Sequence, residues 1–391
     1  MVRAPKCPFD PPPELHGLQE QAPLARVRLW DGSTPWLVTR HAEQRTLLGD
    51  PRLSSDVRRP GYPLPSPARP TGSGSIGFIL MDDPEHARLR RMVTAPFAIK
   101  RVEALRPVVQ EIVDDLIEEM LAGPNPVDLV EAFALPVPSL VICHLLGVPY
   151  ADHGLFQGHS RNLISRSVAI EERTASFRAL TDYLDGLLAT KAETPGGDLL
   201  SQLVERVANG ELTRADAAGI GVLLLVAGHE TTANMIALGT LALLEHPDQL
   251  ALLRESTDPA LVASAVEELL RYLNITHTGR RRAALEDIEI AGVTIRAGEG
   301  VIMANDIGNR DPSIFPEPGE LDLTRDARRH VAFGFGVHQC LGQQLARVEL
   351  QVVYSTLYRR LPALRCAVPL DEVPFKHDGQ VYGVYELPVS F

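Results

Sequence analysis

Several kinds of residue and segment are scarce or missing in this chain of 391 residues. It has four cysteines and no CxxC pair, which argues against a cysteine-rich zinc site. Acidic residues outnumber basic ones by 50 to 38 and no basic run stands out, so a nucleic-acid-binding protein is disfavoured. The first residues carry no apolar run of the secretory type, so we expect a cytoplasmic protein with reduced thiols.

The composition and the spacing of apolar residues favour a globular, mainly helical protein. Hydrophobic residues make up 45% of the chain and charged residues 23%, which is ordinary for a globular domain. No internal repeat and no clear linker interrupts the sequence, so a single domain over 1–391 is predicted. Its expected parts are a proline-rich, β-containing part over about 1–80, a helical body over about 84–272, and β segments, loops and a cysteine loop over about 273–391.

The longest predicted helix runs from about Arg214 to Glu245, and Thr213 with Asp216 resembles a capping box at its start. About 30 residues at 1.5 Å each would span ~45 Å. The segment is apolar enough for a membrane span, but Glu230 lies at its centre, and a glutamate at the middle of a bilayer is costly. We therefore predict a buried central helix and no membrane segment.

Two glycine-rich segments could each carry a ligand site. The first, TGSGSIGF, matches GxGxxG at Gly72, Gly74 and Gly77. It lacks the preceding strand and the following helix that a dinucleotide site needs, so a loop is the preferred interpretation. The second, FGFGVHQCLG, places Cys340 directly before a predicted helix, whose N-terminal N–H groups would stabilise a thiolate.

The second segment, residues 333–342, resembles the haem-binding loop of the cytochrome P-450 superfamily, FGxGxHxCxG, at every fixed position. Its glycines Gly334 and Gly336 would let the backbone approach a flat and bulky group. The resemblance implies that Cys340 is the axial thiolate ligand of the iron of haem b, and that His338 contacts a haem propionate. Thiolate ligation favours cleavage of the O–O bond.

The segment AGHETT, residues 227–232, resembles the oxygen-activating motif on the long central helix of the same family. The resemblance implies that Thr231 hydrogen-bonds dioxygen, the co-substrate, and that Glu230 relays protons from solvent. Gly228 would weaken the helix packing locally, and a threonine hydroxyl would bond back to the helix, so that a notch opens. Thr232, about 100° further round the helix, is the alternative to Thr231 for the hydroxyl role.

Two further motifs resemble the family's propionate contacts. The first is HxxxR, in which His86 and Arg90 stand at i and i+4 and so share a helix face. The second is RxAxED, which begins at Arg282. A guanidinium suits a planar carboxylate, so all three side chains are candidates for binding the cofactor.

Glu268 and Arg271 match the family's ExxR motif and are expected to pair on one helix, for which Asp258 supplies an N-cap. The resemblance gives this pair a structural role: it braces the loop that carries the cysteine. The third member of the network stays open between Arg310 and Arg325.

Taken together, the resemblance implies a mainly α cytochrome P-450 fold with a small β region, a triangular domain and a buried haem. It implies a bacterial monooxygenase that hydroxylates or epoxidises a fairly large hydrophobic substrate, such as a macrolide-like natural product or a sterol-like compound. Electrons would come from a separate ferredoxin and ferredoxin reductase, and the protein is expected to be a monomer. Two alternatives stay open: a peroxide-driven peroxygenase, which usually lacks the acid–alcohol pair, and a non-catalytic haem sensor.

Two surfaces are also predicted from the sequence. An acidic ferredoxin is expected to dock on basic residues near the HxxxR motif and the cysteine loop, because opposite charges steer association. These residues are Arg88, Arg91, Lys100, Arg101, Arg328, Arg329 and Arg347. Mostly apolar segments are expected to line the substrate pocket, namely 57–80, 160–180, Leu223 to Ala227, Asn274 to Thr276, and Val381 with Tyr382.

Overall fold

The computed structural model describes Arg3 and residues 7–66, 77–165 and 167–391. Helices dominate this part of the chain, which confirms the prediction of a mainly α protein with a small β region. The glycines Gly72 and Gly74 of the GxGxxG match lie outside the described residues. The helices are α1 (Pro13–Gln21), α2 (His41–Leu48), α3 (Glu85–Thr94), α4 (Ile99–Glu103), α5 (Arg106–Ala122), α6 (Pro136–Leu146), α7 (His153–Ile164), α8 (Ile170–Glu193), α9 (Leu199–Ala208), α10 (Arg214–Leu244), α11 (Pro247–Glu255), α12 (Pro259–Leu273), α13 (Asn305–Gly308) and α14 (Gln343–Arg360).

The strands of the described residues form three small sheets. The largest has the order β1-β2-β8-β5-β3, in which β2 and β8 run parallel and the other neighbours antiparallel. A second sheet has the order β4-β10-β9, and β6 pairs with β7 in a hairpin. The strands are β1 (Leu24–Arg26), β2 (Trp36–Val38), β3 (Leu53–Ser54), β4 (Val127–Asp128), β5 (Arg280–Ala284), β6 (Ile288–Ile290), β7 (Val293–Ile295), β8 (Gly300–Met303), β9 (Arg365–Cys366) and β10 (Pro388–Ser390).

The central helix α10 runs over 31 residues, close to the predicted span. Its capping box forms as predicted: the Thr213 side chain accepts from the Asp216 N–H, and the Asp216 carboxylate accepts from the Thr213 N–H. Of the described helices, only α10 is long and apolar enough to cross a membrane, and 83% of its most apolar window is buried inside the protein. It therefore packs as the core helix of the fold, between α6, α8 and α14.

The N-terminal part contains more helix than the sequence indicated. Neither α1 nor α2 was predicted, because each is short and each buries two to four side chains, too few to show a clear apolar period. The N-terminal part does contain paired strands, and the Val27 N–H extends the pairing of β1 with β2 by donating to the Pro35 carbonyl at 3.1 Å. A turn at Ala291 and Gly292, with φ of +49° and +76°, joins β6 to β7.

Candidate active site

Cys340 lies in a loop that ends where α14 begins, as the sequence predicted. Its N–H donates to the Phe333 carbonyl at 2.9 Å, which closes the loop. Burial raises the pKa of the Cys340 thiol, while the guanidinium of Arg280 and the N–H of Gly342 lower it. Cys340 is surrounded by protein, yet part of its surface stays accessible.

Two glycines of this loop lie directly against other protein groups. Both Gly334 and Gly336 have positive φ, +73° and +75°, which disfavours any other residue. A Cβ on Gly334 would lie 2.9 Å from Arg280 Nε, and a Cβ on Gly336 would lie 2.7 Å from the Leu48 carbonyl oxygen. The loop backbone therefore approaches protein groups at these two positions.

The four residues predicted to contact propionates are brought together beside the loop. The rings of His86 and His338 lie with their centroids 4.0 Å apart. Arg90, from α3, donates to the Gln339 carbonyl at 2.6 Å. Burial lowers the pKa of His338 to about 3, and the charges of Arg282 and Arg90 act in the same direction, so the ring is neutral.

The cations of this cluster lack acidic partners. Among the described residues, no carboxylate lies within 4.0 Å of Arg90, Arg280 or Arg282. The guanidinium of Arg282 donates to the backbone carbonyl of Arg281 at 2.7 Å, and burial lowers its pKa to about 10, so it stays charged near neutral pH. His86 donates from Nδ1 to Asp83, and its buried Nε2 has no partner in the described structure.

The middle of the central helix has one accessible face. Residues 217–226 of α10 are buried almost without exception, and then Ala227 is exposed and Gly228 and Thr231 are half-buried. Ala227 and Thr231 stand one turn apart and so share this open face, whereas Thr232 is buried on another side. The Thr231 hydroxyl donates to the Ala227 carbonyl at 2.8 Å, the back-bond that the sequence predicted.

Gly228 is needed for close packing, a correction to its predicted role in weakening the packing. A Cβ at this position would lie 2.8 Å from Cδ1 and Cγ1 of Ile142 on α6. The Ile142 side chain therefore packs directly against the α10 backbone at Gly228, one residue from the exposed Ala227.

Glu230 is buried, and the basic side chains of His229 and Lys376 interact with its charge. His229 is fully buried, donates from Nδ1 to the Leu225 carbonyl at 2.7 Å, and holds Nε2 4.0 Å from Glu230 Oε1. Burial lowers the pKa of Lys376, and the charge of Glu230 raises it. Arg161 acts electrostatically on both His229 and Lys376. The sequence motifs did not include Lys376 or Arg161, because both are distant from Glu230 in the chain.

The ExxR pair forms a fully buried ion pair. Arg271 donates from Nε and Nη2 to the two oxygens of Glu268, each at 2.7 Å, and from Nη1 to the carbonyls of Asn309 and Pro318. Arg325 Nε also donates to Glu268, at 3.2 Å. Arg325 is therefore the third charged member of the network.

Arg310, the other candidate for that position, binds elsewhere. It donates to the Tyr272 carbonyl at 3.0 Å, lies 3.3 Å from Asp10, and stacks over the Tyr272 ring. It meets the ExxR network only through the Pro318 carbonyl, to which both Arg310 and Arg271 donate.

A second buried network, which the sequence did not indicate, lies next to the first. Glu267 binds His330 Nε2 at 3.1 Å and accepts two hydrogen bonds from Arg347, at 2.5 and 3.0 Å. Arg347 also lies over the ring of Phe333 in the cysteine loop. Burial alone would raise the pKa of Glu267, but the hydrogen bonds from His330 and Arg347 lower it to about 2.

The predicted docking residues separate into two groups. Arg347 is used inside the protein, Arg88 donates to the Glu211 carbonyl and lies 4.0 Å from Asp216, and Arg328 pairs with Asp326. The prediction was therefore wrong in treating Arg347 as a free surface cation. The others, Arg91, Lys100, Arg101 and Arg329, are exposed and have no ion pair with any described residue.

The predicted pocket segments meet only in part within the described residues. Gly77 packs against Leu223, since a Cβ on Gly77 would lie 2.9 Å from Leu223 Cδ2. The Tyr382 N–H donates to the Ile275 carbonyl at 2.8 Å, but the Tyr382 side chain is fully buried. Residues 67–76 and 166 of these segments lie outside the described part of the chain.

These observations fit a buried, dianionic, planar group between the cysteine loop and α10. Cys340 would supply the thiolate donor on one side, and the accessible face of Ala227 and Thr231 lies on the central helix. Arg90 and Arg282, which have no carboxylate partner among the described residues, would supply the donors for carboxylates at its edge. The residues present thus match a haem with its two propionates.

Comparison with known proteins agrees with this site. The cytochrome P450 family model matches residues 165–364. The chain is 56% identical to cytochrome P450 GfsF of Streptomyces halstedii, over all of this chain and 95% of that protein. It is 44% identical to the 20-oxo-5-O-mycaminosyltylactone 23-monooxygenase of Streptomyces fradiae, over 98% of this chain and 90% of that protein.

Solved structures give the same result. The mycinamicin VIII C21 methyl hydroxylase MycCI of Micromonospora griseorubida, bound to mycinamicin VIII, superposes with a TM-score of 0.94 at 43% identity. That match covers all of this chain and 99% of the other. The cofactor of the present chain is therefore haem with a cysteine thiolate ligand, and the co-substrate is dioxygen. The chain belongs to the cytochrome P450 superfamily, in its bacterial branch, and is a monooxygenase.

Proposed function

We propose that this monooxygenase hydroxylates or epoxidises a large hydrophobic natural product of the macrolide type in the cytoplasm. The observation that carries the proposal is the cluster of Arg90, Arg280 and Arg282 beside the loop of Cys340, in which no guanidinium has a carboxylate partner among the described residues. The choice of substrate class is supported by two relatives, one that acts on a mycaminosyltylactone and one with mycinamicin VIII bound. Ala227 gives the open face an apolar character.

In this proposal, Cys340 is the axial ligand, and His86, Arg90, Arg282 and His338 hold the propionates. When bound, the haem supplies the chemistry that activates dioxygen. The chain keeps the thiolate dry and ligating: the Gly342 N–H and the charge of Arg280 favour the anion against the cost of burial. The arginines are suited to the propionates because they are always charged and donate in a planar fork.

Replacement of the cysteine tests this assignment most directly. Wild-type protein, reduced and exposed to carbon monoxide, should show the strongly red-shifted Soret band of thiolate ligation, and Cys340→Ala should lose it. Cys366→Ser is the matched control, because Cys366 is another partly buried cysteine, on β9. A red-shifted band that persists in Cys340→Ala would show that another group ligates the iron.

We propose that Glu230 and Thr231 deliver protons during oxygen activation. Thr231 lies on the accessible face of α10 with its hydroxyl held by the Ala227 carbonyl, so it is placed to accept and pass on a proton at that face. Glu230 is the buried residue next to it, and the half-buried Lys376 interacts with the charge of its carboxylate. General acid catalysis of this kind contributes typically 10²–10⁴-fold.

The two threonines distinguish this role from simple packing. Thr231→Ala should consume reductant at a substantial rate but divert it to hydrogen peroxide, so little hydroxylated product forms. Thr232→Ala, the matched control on the buried side, should keep the wild-type ratio of product to reductant. The reverse pattern would place the hydroxyl role at Thr232.

We propose that an acidic ferredoxin docks on a basic surface made of Arg91, Lys100 and Arg101, flanked by the exposed Ile99 and Val337. This surface adjoins the cysteine loop, since a Cβ on Gly342 would lie 4.0 Å from Phe97, two residues before Ile99. Lys100→Glu with Arg101→Glu should slow reduction by ferredoxin at low salt and lose this effect at high salt. Arg296→Glu, on the β6–β7 hairpin, is the control, and equal slowing by both would exclude the surface.

A binding screen tests the substrate class. Macrolide aglycones and glycosides, sterols and small terpenes would be titrated while the haem absorption spectrum is followed. The proposal expects the macrolides to shift the spectrum at the lowest concentrations. Tighter binding of a small terpene would contradict it.

A further inference from the structure

Arg280 lies against the backbone of the cysteine loop, although no motif in the sequence includes it. It is the first residue of β5, opposite Met303 of β8, and the alternation of strand residues places it on the same face as Arg282. Its Nη2 donates to the Ala332 carbonyl at 2.9 Å. The guanidinium fills the space that the missing side chain of Gly334 leaves, only 2.9 Å from where a Cβ would lie.

A short path joins this guanidinium to the cysteine. Ala332 precedes Phe333, and the Phe333 carbonyl accepts the hydrogen bond from the Cys340 N–H. Arg280 and Cys340 are therefore linked through two neighbouring carbonyls of the loop, those of Ala332 and Phe333.

The charge of Arg280 is not compensated within the protein. No carboxylate of a described residue lies within 4.0 Å of it, and its buried Nε has no hydrogen-bond partner there. A guanidinium remains charged, and an unpaired buried charge is costly. The same fold supplies carboxylates to the buried Arg271 and to Arg347. The anions left for Arg280 are therefore those of the cofactor site, the thiolate and the propionates.

We propose that Arg280 is a positioning residue of the haem site, whose fixed positive charge against the cysteine loop favours the reduced haem over the oxidised haem. The proposal rests on the assignment of Cys340 as the iron ligand. Reduction of ferric to ferrous haem adds one electron, taken from the electron donor, and makes the site more negative by one charge. A nearby fixed cation lowers the free energy of the reduced form more than that of the oxidised form.

Three variants isolate the charge. Arg280→Gln removes it and keeps a polar side chain, Arg280→Lys keeps it, and Arg281→Gln is the matched control on the opposite face of the same strand. The midpoint reduction potential of the substrate-free holoprotein would be measured by spectroelectrochemical titration with dithionite. Arg280→Gln should lower the ferrous-to-ferric ratio at a fixed potential about tenfold, equal to about 59 mV for a one-electron couple. The other two variants should stay near wild type.

The carbon monoxide spectrum of each reduced variant separates this proposal from the assignment of Cys340. If every variant shows the thiolate band and Arg280→Gln has the wild-type potential, the role of Arg280 is overturned and Cys340 stands. If wild type lacks the band, the assignment of Cys340 fails, and the proposal fails with it. Should Arg280→Gln not retain haem, retention by Arg280→Lys supports the charge. If both Arg280→Gln and Arg280→Lys lose haem while Arg281→Gln retains it, the charge proposal is overturned and Arg280 only packs beside Gly334.

Discussion

Two groups of arginines lie close together around the cysteine loop, and they differ in what balances their charge. Arg271, Arg325 and Arg347 each bind a buried glutamate on α12, Glu268 or Glu267. In the second group, Arg90, Arg280 and Arg282 donate to backbone carbonyls, and no carboxylate of a described residue lies within 4.0 Å of them.

The difference shows which cations hold the fold and which are kept for a ligand. A buried ion pair with all its donors used is self-contained, and removing one partner leaves an uncompensated charge. A cluster of guanidinium groups without carboxylate partners is instead unfavourable until an anion binds to it. The cluster beside the cysteine loop therefore indicates a binding site for an anionic ligand. Neither group could be assigned from residue type, since all six are arginines.

The largest effect is expected from breaking the paired group. Glu268→Gln keeps the shape of the side chain but leaves Arg271 and Arg325 without a counter-charge. Loss of one partner of such a buried pair costs about 3–5 kcal/mol of unfolding free energy. Denaturant unfolding of the holoprotein would measure it. Asp287→Asn, which breaks the exposed pair with Arg296, is the control and should change stability little. An equally small change in Glu268→Gln would contradict the bracing role.

Removing the Glu267 carboxylate should have a somewhat smaller effect on the free energy of unfolding, and the size of that effect should depend on pH. Its folded-state pKa of about 2 lies below the usual 4.5, so its contribution is fully present above about pH 4.5 and is lost as the pH falls towards 2. The shift corresponds to about 3 kcal/mol at neutral pH. Unfolding of wild type and Glu267→Gln across this range should show a gap that closes in acid. A gap that stays constant with pH would mean that the carboxylate charge contributes nothing.

Replacing an arginine that has no carboxylate partner should have the opposite effect on the stability of the haem-free protein. Arg282→Gln should leave the stability of the haem-free protein unchanged or raise it, because an unpaired buried cation is removed. Loss of haem to an acceptor protein should become about tenfold faster, the size of one charge-assisted hydrogen bond. Arg296→Gln serves as the control. Destabilised haem-free protein with unaltered haem loss would move Arg282 into the structural group.

The linear sequence contained much of the cofactor site because its parts are local motifs. The cysteine loop, the HxxxR helix and the acid–alcohol segment each lie within ten residues, so spacing alone shows which side chains share a face. The capping box of Thr213 and Asp216 and the N-cap of Asp258 were predictable for the same reason. The long apolar run of α10 likewise identified the core helix.

Contacts between distant segments were decided only by the tertiary structure. Arg325 rather than Arg310 completes the ExxR network, because the loop after α13 folds back on Glu268. The sequence predicted Arg347 as a surface cation, but in the structure it pairs with Glu267 on α12. The position of Arg280 against Gly334 depends on how β5 meets the loop, and strand alternation with Arg282 was the only hint of it in the sequence. Charge pairing depends on distance in space, and residues far apart in the chain carry no spacing from which that distance can be read.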